Sequence, residues 1–467
     1  MKILLVKPVT PKGLVLNVVP PIGLGYLATA LRRQGMKDVL ILDCVKEGLD
    51  LAGFAVKVKE IKPDLIGFQV FSHDLNSLAE SLKIVKKIKP KMVTVAGGPH
   101  PSGFPEQMLK DFPRLDYAFK GESEIGLPRL VGKLAGKKIN LAKIPGLIWR
   151  QGRAIKINRQ VFPEDLDSLG FPAWDLLKPN EYPNAPQGVF FKNLPVAPIM
   201  ATRGCPYQCT FCAGRTVTGL KIRSRSVDHV LAEIKLLNRD YGVKEIHFLD
   251  DNFTLNRRYV KEFCQKLLNI SLRISWCCPN GIRMDTLDLG ILQMMKAAGC
   301  YYVSVGIESG SNRILKLMKK SLTVEKITKQ IKMIKKSGLA VNGFFILGYP
   351  GETRKEMERT IKFSQSLGLT RAAFYNFLPL PGTEAYRQLV ETGEIEGEFD
   401  FSQIFQAETP YAPKSVTKEE LKSLQQKAYL QFYLRPAVLW AMLKEIKTLN
   451  QLKYILRRAF AYLNIMH

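Results

Sequence analysis

Three cysteines stand close together in the segment "TRGCPYQCTFC", at Cys205, Cys209 and Cys212. A structural zinc ion is normally held by four nitrogen or sulfur ligands, and the nearest downstream candidate for a fourth is His229. A disulfide framework fits no better, because three is an odd number and the remaining cysteines are scattered along the chain. Iron–sulfur clusters bind cysteine thiolates, and three thiolates leave one iron open to another ligand. The spacing therefore favours an iron–sulfur cluster.

Polar residues recur where the apolar runs downstream of these cysteines end. A helix N-cap or a loop carboxylate is the ordinary role for any single one of them. Their recurrence after four successive runs indicates that they share a ligand. They are Asp250 and Asp251, Asn280 and Arg283, Glu308 and Ser309, and Gly348 with Glu352.

Six apolar runs, each followed by a helical pattern, begin at residue 195. They are "VAPIMATRG", "EIHFLDDNF", "RISWCCPNG", "YYVSVGIESG", "VNGFFILGYPG" and "AAFYNFLPLPGT". This alternation predicts parallel strands and crossover helices, arranged as a partial (β/α)6 barrel of the TIM type. Chemistry in such barrels takes place at the C-terminal ends of the strands, and the cysteine loop directly follows the first strand. Cys277 and Cys278, on the third strand, are expected to be small buried thiols.

The first part of the chain also alternates, with apolar runs at "KILLV", "DVLILD", "DLIGFQVF", "MVTVAGG" and "DYAFKG". This pattern predicts a doubly wound parallel sheet, which binds ligands at the carboxyl ends of its strands. Within "AGGPH", Gly97 and Gly98 would allow a bulky ligand to approach the backbone. The alternative is that these glycines only close a tight turn between a strand and a helix.

These patterns predict an α/β protein with four parts. We expect a doubly wound, Rossmann-like domain over 1–136, a proline-rich linker over 137–194, a barrel over 195–385 and a mainly helical region over 386–467. The sequence has no secretory signal and no apolar stretch of about 18 residues, so we expect a cytoplasmic protein. The formal net charge of +27 suggests an anionic partner, although a generally basic proteome would explain it equally well.

Residues from about 196 to 385 resemble the core domain of radical S-adenosylmethionine enzymes. The cysteines match the family's C-x3-C-x-aromatic-C motif, in which Phe211 supplies the aromatic residue. The resemblance implies a [4Fe-4S] cluster on the three cysteines, with S-adenosylmethionine on the open iron and an external electron donor such as flavodoxin or ferredoxin. It also implies that Asp251 accepts the methionine amine and that Glu308 faces polar groups of the cosubstrate. The remaining residues that it places at the S-adenosylmethionine site are Phe211, Asn280 and Gly348.

The N-terminal part is similar to the cobalamin-binding domain that is fused to many radical enzymes. The matching segments are "PPIGLGYLATALRRQG", "DLIGFQVFS", "VAGGPHPS" and "DYAFKGESEIGLPRL". The D-x-H-x-x-G motif that supplies a lower axial histidine is absent, so we expect no histidine on cobalt. The resemblance places the following residues at the cobalamin site: Ser72, Gly97, Gly98, His100, Gly121 and Glu122.

The two resemblances together imply a cobalamin-dependent radical enzyme that methylates an unactivated carbon of a small-molecule or lipid-like substrate. The alternative is a radical cyclase or rearrangement enzyme that transfers no methyl group. RNA methylthiotransferases have similar cores, but their N-terminal domain carries three cluster cysteines where this chain has only Cys44. We therefore do not expect a nucleic acid partner. A sensor that uses the same cofactors would need an output domain, which is not evident.

The C-terminal segment from Lys418 interleaves Lys and Arg with large apolar residues. This mixture favours helices that lie in a membrane interface, with their cations toward anionic headgroups, and Pro436 should interrupt them. The alternative is that the helices pack against the barrel in the ordinary way. Membrane contact would make a lipid-like substrate, such as an isoprenoid or hopanoid, more plausible.

Overall fold

The computed structural model describes residues 1–9, 18–182, 191–395, 399–401 and 409–446, together with residues 449, 452 and 456. Seven strands form the first sheet, in the order β2-β1-β3-β4-β5-β6-β7. The first five strands are parallel, and the last two are antiparallel. The strands are β1 (Ile3–Lys7), β2 (Val39–Asp43), β3 (Leu65–Gln69), β4 (Val93–Gly97), β5 (Tyr117–Phe119), β6 (Leu147–Gln151) and β7 (Ala154–Ile157).

Apolar side chains cover both faces of this sheet. On β1, Leu4 and Val6 belong to one buried cluster, whereas Ile3 and Leu5 belong to another. Alternate residues of a strand point to opposite faces, so a strand that is apolar throughout must be buried on both sides. The flanking helices are α1 (Ile22–Arg33), α2 (Leu51–Ile61), α3 (Leu75–Ile88), α4 (Pro99–Gly103), α5 (Pro105–Asp111) and α6 (Gly126–Leu134).

The segment that we predicted to be a linker, 137–194, contains regular structure that the sequence reasoning missed. It supplies β6 and β7, and β6 pairs with β5 through Ala118 and Ile148. Further along, α7 (Trp174–Leu177) buries Trp174, whose indole Nε1 donates to Glu233 Oε1 at 2.8 Å. This segment therefore extends the first sheet and then packs against the second domain.

Six parallel strands of the second domain follow chain order, β8-β11-β12-β13-β14-β15, as a partial barrel requires. A short antiparallel pair, β9 and β10, accompanies the cysteine loop. The strands are β8 (Val196–Ile199), β9 (Thr202–Arg203), β10 (Arg223–Ser224), β11 (Glu245–Phe248), β12 (Ser275–Ile282), β13 (Cys300–Glu308), β14 (Ala340–Leu347) and β15 (Arg371–Asn376).

Helices on the outside of this barrel begin at side-chain caps that the sequence encodes. Ser226, Asn256 and Thr353 are examples, because each accepts a hydrogen bond from a backbone N–H of the first helical turn. The helices are α8 (Gly214–Thr218), α9 (Val227–Tyr241), α10 (Arg257–Leu268), α11 (Leu289–Ala297), α12 (Asn312–Leu317), α13 (Val324–Lys336), α14 (Arg354–Ser366) and α15 (Glu384–Glu391).

Two further helices, α16 (Lys418–Tyr433) and α17 (Pro436–Glu445), follow the barrel. The α16 helix lies on β15 and buries Leu421 and Phe432 completely. Its polar side chains bond to the backbone of β15: Gln425 Nε2 donates to Phe374 O at 2.8 Å, and Tyr433 OH donates to Ala372 O at 2.8 Å. The α16 helix is therefore an ordinary packed helix, whereas α17 starts anew at Pro436. Within the described residues, no helix combines the length and apolar character needed to span a bilayer.

Candidate active site

The cysteine loop leaves β8 and is held by backbone hydrogen bonds at both ends. Cys205 N donates to Gly219 O at 3.2 Å, and Cys212 N donates to Cys209 O at 3.1 Å. Gly204 has a φ of 92°, and a Cβ atom there would lie 2.3 Å from Lys221 O, so only glycine fits. The sequence thus folds this loop against its own hairpin, at the C-terminal end of the first barrel strand.

The three thiols are near one another but are not gathered around one point. Ligands of a single tetrahedral zinc ion have sulfur atoms roughly 4 Å apart. Among the described residues, Glu245, His247 and Cys277 are the only potential metal ligands of which three have their ligand atoms within 4.8 Å of one another. The sulfur atoms of Cys205, Cys209 and Cys212 therefore do not all lie within this distance of one another. A [4Fe-4S] cluster places each cysteine on its own iron, which separates the sulfur atoms. The three thiols, each on its own iron, are therefore compatible with a cluster.

Phe211 and its neighbour Thr210 anchor the loop to the rest of the barrel. Phe211 packs against an apolar cluster that includes Met318 and Tyr349. Thr210 N donates to Met318 O at 3.1 Å, and Thr210 Oγ1 lies 2.6 Å from Tyr349 OH. Contact between Phe211 and S-adenosylmethionine stays a prediction, because the structure gives its ring a packing role.

The two aspartates after β11 have different environments. Asp250 is buried and accepts hydrogen bonds from Ala201 N at 3.1 Å and from Thr202 Oγ1 at 2.7 Å. Burial raises the pKa of Asp250 to about 7. Asp251 is exposed and accepts from Thr218 Oγ1 at 2.7 Å, at the far end of the cysteine loop. Asp251 is therefore the carboxylate that remains accessible to a ligand beside the cysteines, and Asp250 is a structural anchor.

Two more of the predicted residues lie at the same edge of the barrel. Glu308 has a φ of 65°, which is rare for a residue other than glycine, and its Oε1 accepts from Lys320 Nζ at 2.6 Å. Asn280 is exposed, and its Nδ2 donates to Leu249 O at 3.0 Å. Arg283, near Asn280 on the chain, stacks over the Tyr207 ring at 3.7 Å.

The loop after β14 is covered by the C-terminal region. Gly348 has a φ of 75°, and a Cβ atom there would lie 2.5 Å from a methyl carbon of Leu421 on α16. Both Gly348 N and Tyr349 N donate to Glu352 Oε2, at 2.8 and 3.1 Å. Burial raises the pKa of Glu352 to about 8. The missing side chain at Gly348 makes room for Leu421, so any contact with the cosubstrate stays a prediction and would come from the backbone.

At the edge of the first sheet, Gly97 and Gly98 differ. A Cβ atom on Gly98 would lie 2.9 Å from Val70 O, and its φ is 117°. Gly98 therefore closes a tight turn against β3, which is the structural alternative that we considered. A Cβ atom on Gly97 would meet its nearest neighbours, Phe119 and Ser123, only at 3.9 Å. A small side chain would thus be tolerated at Gly97 but not at Gly98, and contact of either glycine with cobalamin stays a prediction.

His100 and Ser72 form a neutral hydrogen-bonding pair at this edge. Ser72 Oγ and His100 Nδ1 are 2.9 Å apart, and the imidazole packs edge-on against Phe104 and Phe401. Burial lowers the pKa of His100 to about 4, so the ring is uncharged at neutral pH. Neutral donors and acceptors at this edge of the sheet suit cobalamin, whose corrin ring carries uncharged amide side chains.

The other two residues predicted to contact cobalamin face protein groups instead. Gly121 is covered by the Gln160 side chain, which a Cβ atom would approach to 2.7 Å. The Glu122 carboxylate accepts from Arg223 at 2.6 and 2.9 Å and lies 3.1 Å from Arg203. The backbone is engaged as well, because Gly121 N donates to Ser102 Oγ and Glu122 O accepts from Gln160 Nε2, both at 2.9 Å. Contact with cobalamin at these residues stays a prediction.

The two predicted cofactor edges meet. The buried pairs of Glu122 with Arg203 and Arg223 join the strand ends of the first sheet to the hairpin of the cysteine loop. A Cβ atom on Gly103 would lie 2.6 Å from the Pro381 backbone and side chain, so α4 touches the loop after β15. The sequence analysis did not single out either arginine, although both lie near the cysteine motif: Arg203 begins "RGCP", and Arg223 is the first arginine of "KIRSRS".

A buried polar group inside the barrel was also missed. Glu245 Oε1 and His247 Nε2 are 2.8 Å apart, and their ligand atoms lie with that of Cys277 within 4.8 Å of one another. Glu245 also accepts from Tyr301 OH at 2.7 Å and from Ser275 Oγ at 3.0 Å. The carboxylate oxygens of Glu245 are thus already hydrogen-bonded, which indicates a structural network. Cys278, the neighbour of Cys277, is buried in the apolar core of the second domain.

Two family models match the chain: the radical SAM superfamily over residues 199–364 and the B12 binding domain over residues 12–131. An uncharacterized methyltransferase of Pyrococcus horikoshii is 34% identical over 94% of both chains. The chain belongs to the B12-binding radical SAM enzymes. This membership confirms the family and the cofactor set predicted from the sequence: a [4Fe-4S] cluster, S-adenosylmethionine and cobalamin.

Two further relatives of this B12-binding radical SAM enzyme have different activities. The cytidylyl-2-hydroxyethylphosphonate methyltransferase of Streptomyces wedmorensis is 32% identical, over 81% of this chain and 79% of its own. The anaerobic magnesium-protoporphyrin IX monomethyl ester cyclase of Rubrivivax gelatinosus is 26% identical, over 90% of this chain and 75% of its own.

Among solved structures, the radical S-adenosylmethionine methyltransferase TsrM of Kitasatospora setae superposes with a TM-score of 0.68. It is 20% identical, and the match covers 84% of this chain and 75% of that chain. At this identity the likeness concerns the fold, and it confirms the α/β class predicted for both domains. The residue-level assignments and the exact domain boundaries remain predictions.

Proposed function

We propose that this enzyme transfers a methyl group to an unactivated carbon of a small organic substrate. The observation that carries the proposal is the meeting of the two cofactor edges, held by Glu122, Arg203 and Arg223. A methyl donor and a radical generator must both reach one substrate carbon, and contact between the two edges predicted to bind them supports this arrangement. The two methyltransferases among the relatives support the same reaction class.

When bound, the cluster and S-adenosylmethionine supply a deoxyadenosyl radical, and cobalamin supplies a methyl group. Cys205, Cys209 and Cys212 would hold the cluster. Asp251, the exposed carboxylate beside the cysteines, would accept the amine of the cosubstrate, and a carboxylate near a sulfonium is electrostatically favourable. On the opposite side, the backbone at Gly97 would approach the corrin ring.

Isotope transfer tests the reaction without knowledge of the substrate. Reconstituted protein is incubated anaerobically with cobalamin, a low-potential reductant and S-adenosylmethionine with a deuterated methyl group. Methyl transfer predicts S-adenosylhomocysteine together with label in the corrinoid fraction. With substrate present, the product gains the mass of one methylene, in labelled form.

Deoxyadenosine without any label transfer would contradict the proposal and favour the cyclase alternative, which the relative from Rubrivivax gelatinosus represents. The matched control for the cluster is Cys264→Ala, because Cys264 is buried on α10 and lies outside the cysteine loop. This variant should keep deoxyadenosine formation, whereas Cys212→Ala should lose it.

We further propose that α17 rests on an anionic membrane surface. Leu434, Trp440 and Leu443 are 64%, 62% and 61% exposed, and Lys444 Nζ lies 4.9 Å above the Trp440 ring. Basic residues in 435–467 outnumber the single acid, Glu445. Exposed aromatic and aliphatic side chains beside cations are typical of helices in the headgroup region. A lipid-like substrate would then be reached from its reservoir.

Vesicle flotation at low salt tests this contact. The protein should float with phosphatidylglycerol vesicles and stay at the bottom with phosphatidylcholine alone. The double variant Trp440→Ser, Leu443→Ser should lose flotation, whereas Leu268→Ser, at a leucine of α10 that is 50% exposed, should keep it. Wild-type protein that stays at the bottom would contradict the proposal. A concentration-dependent dimer that the double variant abolishes would instead assign the surface to self-association.

A further inference from the structure

The loop between α12 and α13 has an unusual backbone. Lys319 and Ser321 have φ angles of 52° and 56°, and neither is glycine. Residues other than glycine rarely adopt this backbone conformation. It persists where the surrounding structure stabilises it, often at functional sites. Glu308, at the end of β13, shares the feature with a φ of 65°. Three such residues therefore surround a single point, Lys320.

This backbone turns two neighbouring lysines in opposite directions. Lys320 is 8% exposed; its ammonium donates to Glu308 at 2.6 Å and lies 6.0 Å from the centre of the Phe211 ring. Lys319 points outward, where its Nζ bonds to Glu384 at 2.6 Å on the surface. The loop thus buries one cation against the cysteine loop and leaves the next one in solvent.

A second buried cation, Arg283, contacts the same loop at Tyr207, which precedes Cys209 in the chain, whereas Lys320 lies near Phe211, which follows Cys209. Arg283 lies 3.7 Å above the Tyr207 ring, and its Nη1 donates to Lys320 O at 2.8 Å. Burial lowers the pKa of both cations, but their carboxylate partners, Asp285 for Arg283 and Glu308 for Lys320, hold it above the ordinary value. Both groups therefore stay charged beside the cysteines.

We infer that Lys320, assisted by Arg283, is a positioning residue that makes the cluster easier to reduce. Reduction adds an electron to a partly buried group, and a fixed positive charge nearby stabilises the reduced form. The carboxylates of Glu308, Asp285 and Asp251 oppose this effect, so removal of one cation leaves an unbalanced negative charge. The inference rests on the cluster that the proposed function assigns to the cysteine loop.

A redox titration monitored by electron paramagnetic resonance tests the role of Lys320 in reconstituted protein without S-adenosylmethionine. Lys320→Met should shift the midpoint potential to more negative values and lower the reduction equilibrium constant by about tenfold or more. Lys320→Arg should restore the wild-type value. The matched control is Lys319→Met, which changes the neighbouring lysine, whose ammonium bonds to Glu384 on the surface, and should leave the potential unchanged.

Two further variants keep the inference testable if Lys320→Met fails to assemble a cluster. Arg283→Gln should shift the potential in the same direction, and Glu308→Gln should shift it to more positive values. Unchanged potentials in these variants, with the cluster content of wild type, would overturn the inference and leave the proposed function intact. Wild-type protein without a [4Fe-4S] signal would overturn the cluster assignment and this inference together.

Discussion

The Arg223→Met substitution should weaken the junction between the two domains. Arg223 makes two charge-assisted hydrogen bonds to Glu122, at 2.6 and 2.9 Å, and both side chains are almost fully buried. Breaking such a pair costs about 3–5 kcal/mol, because the remaining charge stays buried. Arg203 still lies 3.1 Å from Glu122, so we expect the lower end, about 3 kcal/mol.

Urea unfolding followed by fluorescence measures this cost. The matched control is Lys221→Met on the same hairpin, because Lys221 and Glu164 are 72% and 71% exposed and an exposed pair contributes about 0–1 kcal/mol. The double variant Glu122→Gln, Arg223→Met should be more stable than Arg223→Met alone, since it removes the buried carboxylate that has lost its two bonds from Arg223, while Arg203 keeps Glu124 at 2.7 Å. A cost for Arg223→Met below about 0.5 kcal/mol would refute the reasoning, because an exposed pair would explain it equally well.

Three other outcomes follow from the site. Gly98→Ala should destabilise the protein by about 1–3 kcal/mol in thermal unfolding, because its φ of 117° and its contact with Val70 exclude a side chain, whereas Gly97→Ala should fold normally. Cys209→Ala should lower the iron content below about four per chain and abolish deoxyadenosine formation, both measured after anaerobic reconstitution. The pKa of Glu352 is raised to about 8, so its contribution to stability is full below about pH 4.5 and is lost as the pH rises through 8. As the pH rises from 5 to 9, the melting temperature of wild type should therefore fall relative to that of Glu352→Gln. A constant difference between the two melting temperatures over this range would contradict the assignment.

The strands and the cluster motif could be predicted because their signals are local. Each apolar run of the first sheet and of the barrel became a strand, since continuous burial requires continuous apolar sequence. The C-x3-C-x2-C motif directly after a strand was equally clear from the sequence. By contrast, β6 and β7 escaped prediction because prolines surround them, although Gly152, with a φ of 59°, marks their turn.

The partners of buried charges could not be predicted from the sequence. Glu122 and Arg223 are 101 residues apart, and no local pattern links them. The same limit applies to Glu122, whose carboxylate bonds to both arginines of the domain junction while its contact with cobalamin stays a prediction. A glycine motif likewise does not tell whether the space beside Gly98 holds a ligand or the neighbouring Val70 backbone.

The bonds from α16 to β15 determine when the barrel becomes safe from aggregation. β15 is the last strand of its sheet, and an unpaired edge invites pairing with another chain. The side chains of Gln425 and Tyr433 donate hydrogen bonds to backbone carbonyls of this edge, which a further strand would otherwise satisfy. Because α16 follows every strand of the barrel in the chain, a ribosome releases this cover after the strands themselves. The nascent barrel edge is therefore exposed until α16 has been synthesised, which makes chaperone binding during translation most useful at this edge.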